Sequence, residues 1–345
     1  MDTGRKSNRT WGRRLLTALC VLLALILLLV IFAAVYVNSW LDKIPRATDP
    51  TGTLSASQIE ELENQTDPED VTFTGPTMDP LEVTWDTAPD ELVGLEKDVI
   101  NILLIGQDRR AGQGRQRSDA MILCTVNVKN KTLTMTSFLR DLYVQIPGYK
   151  DNRLNAAYQF GGMPLLDAAL EVNFGVHVDG NVEVDFTGFQ QVIDLVGGVD
   201  INLTAAEAAH LNKSHRSWGL QAGMNHLNGE KALAYSRIRY IGTDFGRTNR
   251  QRTVLTALLN QSKNLPYTQL MELVEQALGL ITTDMTNMEI MQHAVALIPL
   301  LKDLEVQTQY IPAEGTYKNA RIRGMSVLVP NLEANRRILI ESLTE

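Results

Sequence analysis

Two aspartates stand beside predicted β-strands, where their carboxylates could act together. Asp108 directly follows the apolar run "NILLIGQ", and Asp119 comes eleven residues later, just before the run "AMILCTVNV". If these strands are neighbours, the loop between them brings both carboxylates to one sheet edge, where α/β proteins tend to bind ligands. Such carboxylates repel unless a cation separates them, and Mg²⁺ shared with phosphate oxygens is a common solution. The alternative is a set of surface ion pairs with Arg109, Arg110 or Arg117.

A group of arginines is expected to gather near the start of a later helix. Arg247, Gln251, Val254 and Leu258 have the spacing of one helix face. Because the apolar half of that face should point to the core, the first turn directs Arg247 inward, at a helix N-terminus that favours anions.

Three more arginines precede this helix: Arg140, Arg237 and Arg239. Guanidinium groups bind phosphate oxygens in bidentate fashion, so the combined set favours an anion site. The alternative is that Arg247 and Arg250 pair with Asp244 and Glu230.

The elements around these residues predict an α/β fold with a mixed central sheet covered by helices on both faces. The run "DVINILLIG" is typical of a buried central strand, and "AMILCTVNV" and "TLTMTSF" of an antiparallel hairpin. We expect further strands at "GNVEVDF", "VDINL" and "VQTQYIP", with short ones at "VTFTG" and "LEVTW". Helices are expected at "MPLLDAALEVNFG", "FTGFQQVIDLVGG", "NGEKALAYSRIR", "TNRQRTVLTALLNQSKNL", "TNMEIMQHAVALIPLL" and "NLEANRRILIESL".

The N-terminal part of the chain predicts a membrane anchor. Residues 15–37 carry no charge over 23 positions, which as a helix would span roughly 34 Å. The basic residues before this run place residues 1–14 in the cytoplasm and the rest outside. A cleaved signal peptide is the alternative, but its apolar core is usually about 7–15 residues long. We therefore predict a single-pass protein of the cell membrane, with the lipid bilayer as a partner.

The charge is divided unevenly along the chain. The net charge is −8, yet fourteen acidic residues and one basic residue lie between Asp49 and Asp98, and the rest of the chain from Val99 is balanced. We interpret residues 38–98 as an extended, self-repelling, partly disordered stalk and residues 99–345 as an extracellular folded domain. A neutral domain does not indicate a nucleic-acid-binding face. Cys20 and Cys124 give no disulfide framework.

From about Val99 to about Leu259 the sequence resembles the LytR–CpsA–Psr family. The resemblance lies in "NILLIGQDRR…RSDAMILCTVNVKNKTLTMTSFLRDLYVQIPG", "RLNAAYQFGG", "VDFTGFQQVIDLVGGVDINL" and "LNGEKALAYSRIRY…DFGRTNRQ". It implies that family's fold and an extracytoplasmic transferase. Such an enzyme moves a glycopolymer (teichoic acid, capsule or another wall polymer) from a polyprenyl-pyrophosphate carrier to peptidoglycan. It forms a phosphodiester, typically at the muramic acid 6-hydroxyl, and releases polyprenyl phosphate.

The resemblance also implies roles for single residues. Asp108 and Asp119 would hold Mg²⁺, or Mn²⁺ in its place, at the pyrophosphate. The pyrophosphate oxygens would be bound by Arg140, Arg237, Arg239 and Arg247, with Gln251 beside them, and we add Arg117 to this set. Ala120 stands where the family often has Thr or Ser, which leaves both carboxylates in place.

Some questions of chemistry stay open at the level of sequence. Asp119 or Asp108 could accept the proton of the attacking hydroxyl, and Asp141 is either a weaker candidate or a structural partner of Arg140. A hydrolase that cleaves the lipid-linked pyrophosphate would use the same residues with water as the acceptor. A non-catalytic binding or regulatory protein of the envelope is the third alternative.

Overall fold

The computed structural model describes residues 36–47, 56–66, 73–85, 94–96, 98–107, 115–239 and 244–344, together with residues 70, 89 and 92. The chain divides into two units, residues 1–44 and residues 45–345. In the first unit residues 36–41 are helical. The predicted span at residues 15–37 lies outside the described residues except for its last two positions. Within the described parts of the chain, no helix is both long and apolar enough to cross a membrane.

The second unit alternates strands and helices along its length. Its strands are β1 Val99–Gln107, β2 Ser118–Asn127, β3 Thr132–Phe138, β4 Tyr143–Val144, β5 Asn152–Arg153, β6 Gly180–Asp185, β7 Val199–Leu203, β8 Gly223–Leu227, β9 Thr282–Thr283, β10 Glu305–Ile311, β11 Tyr317–Ile322 and β12 Met325–Pro330. Its α-helices are α1 Ala56–Glu63, α2 Leu154–Phe174, α3 Phe186–Leu195, α4 Ala205–Ser214, α5 Gly229–Ser236, α6 Asp244–Lys263, α7 Tyr267–Ala277, α8 Asn287–Leu297 and α9 Leu332–Thr344.

Six strands form a mixed central sheet in the order β10-β3-β2-β1-β6-β9. β1 lies inside the sheet, antiparallel to β2 and parallel to β6, while β10 runs parallel to β3. A strand buried on both faces needs apolar residues at nearly every position, which is the pattern of β1. The mixed α/β sheet predicted from the sequence is confirmed.

Helices cover both faces of this sheet. On one face Leu103 of β1 and Leu123 of β2 pack against residues of α2 and α9, including Leu166 and Leu339. On the other face Ile122 and Met135 pack against apolar residues of α6 and α8. Alternate residues of one strand thus serve two separate cores, because successive side chains of a strand point to opposite faces.

β2 and β3 form the predicted antiparallel hairpin. Asn127 pairs with Thr132 beside the turn, and the register continues to the pairing of Ile122 with Ser137. Lys131 in the turn has a φ of 56°, a left-handed conformation that is uncommon outside glycine. The free ends of the two strands therefore lie at the same edge of the sheet, close to the end of β1.

The expected stalk is folded over many of its described residues. Residues 45–98 belong to the same unit as the central sheet. Asp70 is 3% exposed and accepts hydrogen bonds from Arg153 and from the backbone of Ser326. Trp85 stacks on Tyr143 at 6.0 Å between ring centroids. The interpretation of this segment as an extended chain is therefore wrong for the described residues between 56 and 85.

The two short strands expected in that segment are also absent from its described residues. Phe73–Gly75 has no strand conformation, and Val71 and Thr72 lie outside the described part. Pro80–Glu82 forms a short 3-10 helix because the Asp79 side chain accepts a hydrogen bond from the backbone of Leu81. By contrast, the predicted capping box of Thr286 and Glu289 is confirmed at the start of α8.

The carboxyl group of Asp167 on α2 is expected to make the stability of the fold depend on pH. Its Oδ2 accepts a hydrogen bond of 2.8 Å from Asn181, which also donates to Asp284 at 2.7 Å. Burial, and then the charges of Asp284 and Glu171, raise the pKa of Asp167 to about 7. In the unfolded chain an aspartate titrates near pH 3.9, so between about pH 4 and 7 only the folded state holds this proton. Stability therefore falls as pH rises through that window, by up to ~1.4 kcal/mol per pH unit.

The variant Asp167→Asn should not lose stability in this way as the pH rises. We expect its free energy of unfolding, measured in urea at pH 5 and at pH 7, to decline less between the two values than that of the parent protein. Asp303→Asn is a suitable control because this aspartate is more than half exposed. An unchanged pH slope in Asp167→Asn would show that Asp167 ionises normally in the folded protein.

Candidate active site

The hairpin brings Asp119 and Arg140 together. Asp119 is the second residue of β2, and Arg140 comes two residues after β3 ends. Nη1 of Arg140 lies 3.1 Å from Oδ1 of Asp119. The Arg140 side chain is 7% exposed and that of Asp119 is 29% exposed, so a buried cation stands behind a carboxylate that solvent can reach. The predicted meeting of these two residues at one sheet edge is confirmed.

Arg239 joins this pair from the segment that follows α5. Its Nη2 lies 3.5 Å from Oδ1 of Asp119, and its side chain is 42% exposed. One carboxylate oxygen therefore faces two guanidinium groups from distant parts of the chain. The cluster formed by Asp119, Arg140 and Arg239 carries a net positive charge and is open to solvent on one side, as a site for an anion requires.

A buried ion pair holds the segment that carries Arg239. Nε of Arg250 donates to Glu207 at 2.7 Å, and its Nη1 donates to the backbone carbonyl of Ile238 at 3.1 Å. Ile238 is buried, so the residues on either side of it, Arg237 and Arg239, are presented outward. The described partner of Arg250 is thus Glu207 of α4, not the Glu230 considered from the sequence.

Arg237 is exposed, and its guanidinium lies 4.4 Å from the ring centroid of Phe186. Stacking on an aromatic ring limits the motion of a long side chain without neutralising its charge. Arg237 and Arg239 also line a small cavity of about 150 Å³ together with His210 and His215 of the α4 region. The structure therefore places both arginines in one cationic surface region.

Arg247 and Gln251 lie on the inward face of α6, as the helical spacing predicted. Arg247 is 2% exposed. Oε1 of Gln251 is buried and accepts no hydrogen bond from any of the residues described. Glutamine in such a position retains an unused acceptor, which suits contact with a donor on a ligand or on a bound water.

Two other predicted residues have structural contacts. Nε of Arg117 donates to the side chain of Gln159 at 3.1 Å, and its Nη2 donates to the backbone carbonyl of Gln65 at 3.0 Å.

Asp141 lies between two arginines, 3.5 Å from Nε of Arg140 and 3.7 Å from Nη1 of Arg153. These contacts favour a structural role for Asp141 and do not connect Arg117 to Asp119. A role of Arg117 in binding pyrophosphate stays a prediction.

A buried polar group at the end of β1 was not predicted. Glu183 of β6 is 5% exposed and accepts hydrogen bonds from the Tyr158 hydroxyl and from Nε2 of Gln107. Oε1 of Gln107 accepts a bond of 3.2 Å from the backbone of Gln116. Gln107 thus fixes the chain on both sides of the loop that contains Asp108. The signal in the sequence was a glutamate at an inward position of a strand and a glutamine ending an apolar run.

Asp108 lies outside the described residues, so its distance from Asp119 is not part of the structure. The described residues contain no group of three or more His, Cys, Asp or Glu side chains suited to a metal ion. The Asp119 carboxylate nevertheless fits the predicted ion. Its Oδ1 faces both arginines, while Oδ2 has no partner among the described residues, and Mg²⁺ is often held by one or two carboxylates with phosphate oxygens.

Comparison with known proteins shows relatives in sequence and in fold. Regulatory protein MsrR of Staphylococcus aureus (strain COL) is 31% identical over 252 residues, which cover 71% of this chain and 75% of MsrR. Polyisoprenyl-teichoic acid–peptidoglycan teichoic acid transferase TagU of Bacillus cereus is 37% identical over 186 residues, 53% of this chain and 59% of TagU.

Solved structures of TagT from Bacillus subtilis have the same fold. TagT bound to LIIa-WTA matches with a TM-score of 0.60 and 28% identity over 75% of this chain and 95% of that one. TagT with bound octaprenyl pyrophosphate lipid matches with a TM-score of 0.57 and 27% identity over 75% and 97%. The model of the LytR_cpsA_psr family matches residues 52–339. The chain therefore belongs to the LytR–CpsA–Psr family.

Proposed function

We propose that this protein transfers a glycopolymer from a polyprenyl-pyrophosphate carrier to peptidoglycan, with release of polyprenyl phosphate. The observation that carries the proposal is the cluster at the sheet edge, where Asp119 faces Arg140 and Arg239. Relatives named as teichoic acid transferases and a relative with bound octaprenyl pyrophosphate support the same activity.

The cluster suits phosphoryl transfer because that reaction depends mainly on positioning and on neutralising charge. A pyrophosphate brings several negative oxygens, and guanidinium groups fixed in advance bind them without reorganising. Arg140 is held by burial and by Asp119 and Asp141, while Arg237 and Arg239 are held through Ile238 and Phe186. These contacts fix the direction of each cation before the substrate arrives.

We propose that Asp119, with Asp108, holds Mg²⁺, or Mn²⁺ in its place, at the pyrophosphate. Such an ion, when bound, would neutralise charge that develops on the phosphate oxygens. Asp119 supports this role because its Oδ2 is without a described partner and the side chain is partly exposed. Glu183, Gln107 and Gln116 would maintain the start and end of the loop that carries Asp108.

In the proposed reaction a hydroxyl of peptidoglycan attacks the phosphorus that bears the glycopolymer. A new P–O bond forms, the bond to the bridging oxygen of the pyrophosphate breaks, and polyprenyl phosphate leaves with that oxygen. The hydroxyl proton passes to a carboxylate at the site, for which Asp119 and Asp108 are the proposed acceptors. Asp141 is less suitable because both of its oxygens face arginines.

We further propose that residues 15–37 anchor the protein in the cell membrane, with residues 1–14 in the cytoplasm and the catalytic unit outside. The uncharged run and the basic residues before it support this topology. The carrier lipid and peptidoglycan would then be on the same side of the membrane as the site.

The proposal can be tested with the full chain in detergent. The protein is incubated with a polyprenyl-pyrophosphate saccharide, Mg²⁺ and peptidoglycan oligomers, and the products are separated by chromatography. Saccharide linked to peptidoglycan is the expected product. Free saccharide phosphate alone would identify a hydrolase, and tight binding without turnover would identify a binding protein.

Arg237→Ala should strongly reduce the rate of transfer while the protein stays folded. Arg237 is exposed, and its backbone caps α5, so loss of the side chain and of its contact with Phe186 should leave the helix end in place. Removing one positioned cation from a phosphoryl-transfer site costs about 10²–10³ in rate. Arg337→Ala is the matched control, since Arg337 is also exposed and pairs only within α9. Transfer at the wild-type rate in Arg237→Ala would remove this residue from the site.

A further inference from the structure

A polar groove runs along the side of α6 that lies apart from the cluster at Asp119. It has a volume of about 540 Å³ and is bounded by α6, by the β7–β8 hairpin and by Thr308 of β10. Most of the side chains that α6 and the residue after it contribute to the lining are amides and hydroxyls: Asn249, Thr253, Thr256, Asn260, Gln261 and Asn264. A groove of this size is in the range of small-ligand sites, but its lining is more polar than that of most of them.

Arg252 lies at the wall of this groove and is 3% exposed. Its Nη2 is 3.5 Å from Oδ1 of Asn249, and its guanidinium carbon is 5.7 Å from the ring centroid of Tyr310. Nε and Nη1 are buried and have no hydrogen-bond partner among the described residues. A buried guanidinium in this state lacks most of its five hydrogen bonds.

The charge of Arg252 is also not neutralised by its surroundings. Burial lowers its pKa to about 10, so the side chain is still a cation at neutral pH. Asp200 is the acidic residue among those that line the groove, and its carboxylate is 62% exposed and lies 2.8 Å from Nδ1 of His226. A buried cation without a counter-ion is costly, and it becomes favourable when an anionic ligand supplies the opposite charge.

The other residues that line the groove indicate the chemical class of the ligand. Amide and hydroxyl groups along α6 offer both donors and acceptors, as a polyhydroxyl compound requires. Met224, which is 71% exposed, and Ala257 add a small apolar surface against which the C–H face of a sugar ring can pack. The groove therefore combines one buried cation, many neutral hydrogen-bonding groups and an apolar patch.

Helix geometry separates this groove from the cluster at Asp119. Arg252 follows Gln251 by one residue, which turns its side chain by about 100° around the helix axis. Arg247 and Gln251 face inward, whereas Arg252 faces the groove between α6, β7 and β10. The same helix thus presents cations to two different surfaces.

We propose that this groove, formed by Arg252 and the polar face of α6, binds a saccharide that carries an anionic group. The source of the saccharide rests on the proposed function. It is either an acceptor glycan in which a muramic acid carries no peptide and keeps its carboxylate, or the transferred polymer, through a phosphate. In both cases the anion pairs with the guanidinium of Arg252 at the groove wall, and the sugar hydroxyls contact the α6 amides.

The test is a binding measurement with the full chain in detergent, by isothermal titration calorimetry. The probes are a disaccharide of N-acetylglucosamine and N-acetylmuramic acid, a glycerol phosphate oligomer, and chitobiose as the neutral compound. We expect at least one anionic probe to bind, and Arg252→Gln to weaken that binding about tenfold or more with little effect on chitobiose. Preference for the first or the second probe distinguishes acceptor from polymer.

Two further variants separate ligand binding from folding. Asn260→Trp fills the groove from an exposed position and leaves Arg252 in place, so it should also abolish binding of the anionic probe. Arg252→Met should have a melting temperature no lower than that of the parent protein when no ligand is present. A melting temperature that falls by several degrees would indicate that Arg252 serves the fold, and unchanged affinity in Asn260→Trp would place the ligand elsewhere.

Binding of a polyprenyl-pyrophosphate probe distinguishes this proposal from the proposed function. We expect Arg252→Gln to bind that probe as tightly as the parent protein, since Arg252 faces away from Arg247. Loss of saccharide binding with retained lipid binding supports a separate groove. Equal loss of both would overturn the separation, and absence of binding by both anionic probes to the parent protein would overturn the groove proposal itself.

Discussion

Replacing Asp119 with alanine is expected to lower the rate of glycopolymer transfer by about 10³-fold. The carboxylate is the meeting point of Arg140 and Arg239, and its Oδ2 is the proposed metal ligand. Its loss removes a ligand of the ion and also frees two cations from their fixed directions. The measurement is the initial rate of saccharide transfer to peptidoglycan oligomers at saturating Mg²⁺.

A matched aspartate, Asp303, lies just before β10 and contacts the turn at the other end of the hairpin. Asp303 pairs with Lys131 at 2.9 Å, and both side chains are at least half exposed. Asp303→Ala should retain the parent rate, because an exposed pair contributes little and lies far along the strands from Asp119. The melting temperature of Asp119→Ala should stay within a few degrees of the parent. A rate within a factor of ten of the parent in Asp119→Ala would refute its assignment to the site.

Replacing Arg153 with methionine is expected to destabilise the fold by about 3–5 kcal/mol. The Arg153 side chain is 2% exposed, and its Nη1 lies 3.3 Å from Asp70, whose side chain is 4% exposed. Methionine preserves most of the volume but removes the cation that pairs with the buried Asp70 carboxylate, which also accepts a hydrogen bond from the backbone of Ser326. Urea denaturation at pH 7 would measure the loss.

A double variant shows whether the isolated charge causes this effect. Arg153→Met combined with Asp70→Asn removes both charges and should recover a substantial part of the lost stability, since replacing a whole buried pair is often close to neutral. Arg337→Met, in an exposed pair with Glu333, should change stability by at most ~1 kcal/mol. If the double variant is as unstable as the single one, the loss comes from packing.

Much of the central sheet could be predicted from local patterns. The apolar run of β1 and the short polar turn at Lys129–Lys131 led to a hairpin with Asp119 and Arg140 at one edge, and both parts are confirmed. These features depend on residues close in sequence, whose periodicity reports directly on strand pairing. The helical spacing of Arg247 and Gln251 succeeded for the same reason.

The N-terminal segment could not be predicted in this way. Its acidic residues indicated a chain that repels itself. The basic residues that pair with two of them lie far along the sequence, so local composition did not reveal them. Glu63 pairs with Lys150 at 2.9 Å, and Asp70 pairs with Arg153. The pairing of Arg250 with Glu207 was missed for the same reason. A local charge count measures the repulsion between neighbours but contains no information about cations that tertiary structure brings from elsewhere.

The packing of the described residues between 56 and 85 shortens the segment that could act as a tether to the proposed membrane span. The larger unit begins at Pro45, so residues 38–44 connect it to the proposed membrane span. Seven residues reach at most about 25 Å when fully extended, whereas the stalk of residues 38–98 would have allowed about 200 Å. If residues 15–37 form the proposed membrane span, this length of chain would limit the distance between the span and the start of the larger unit. With such an anchor, the proposed transferase would sample only a thin layer above the membrane and would search for a lipid carrier in two dimensions.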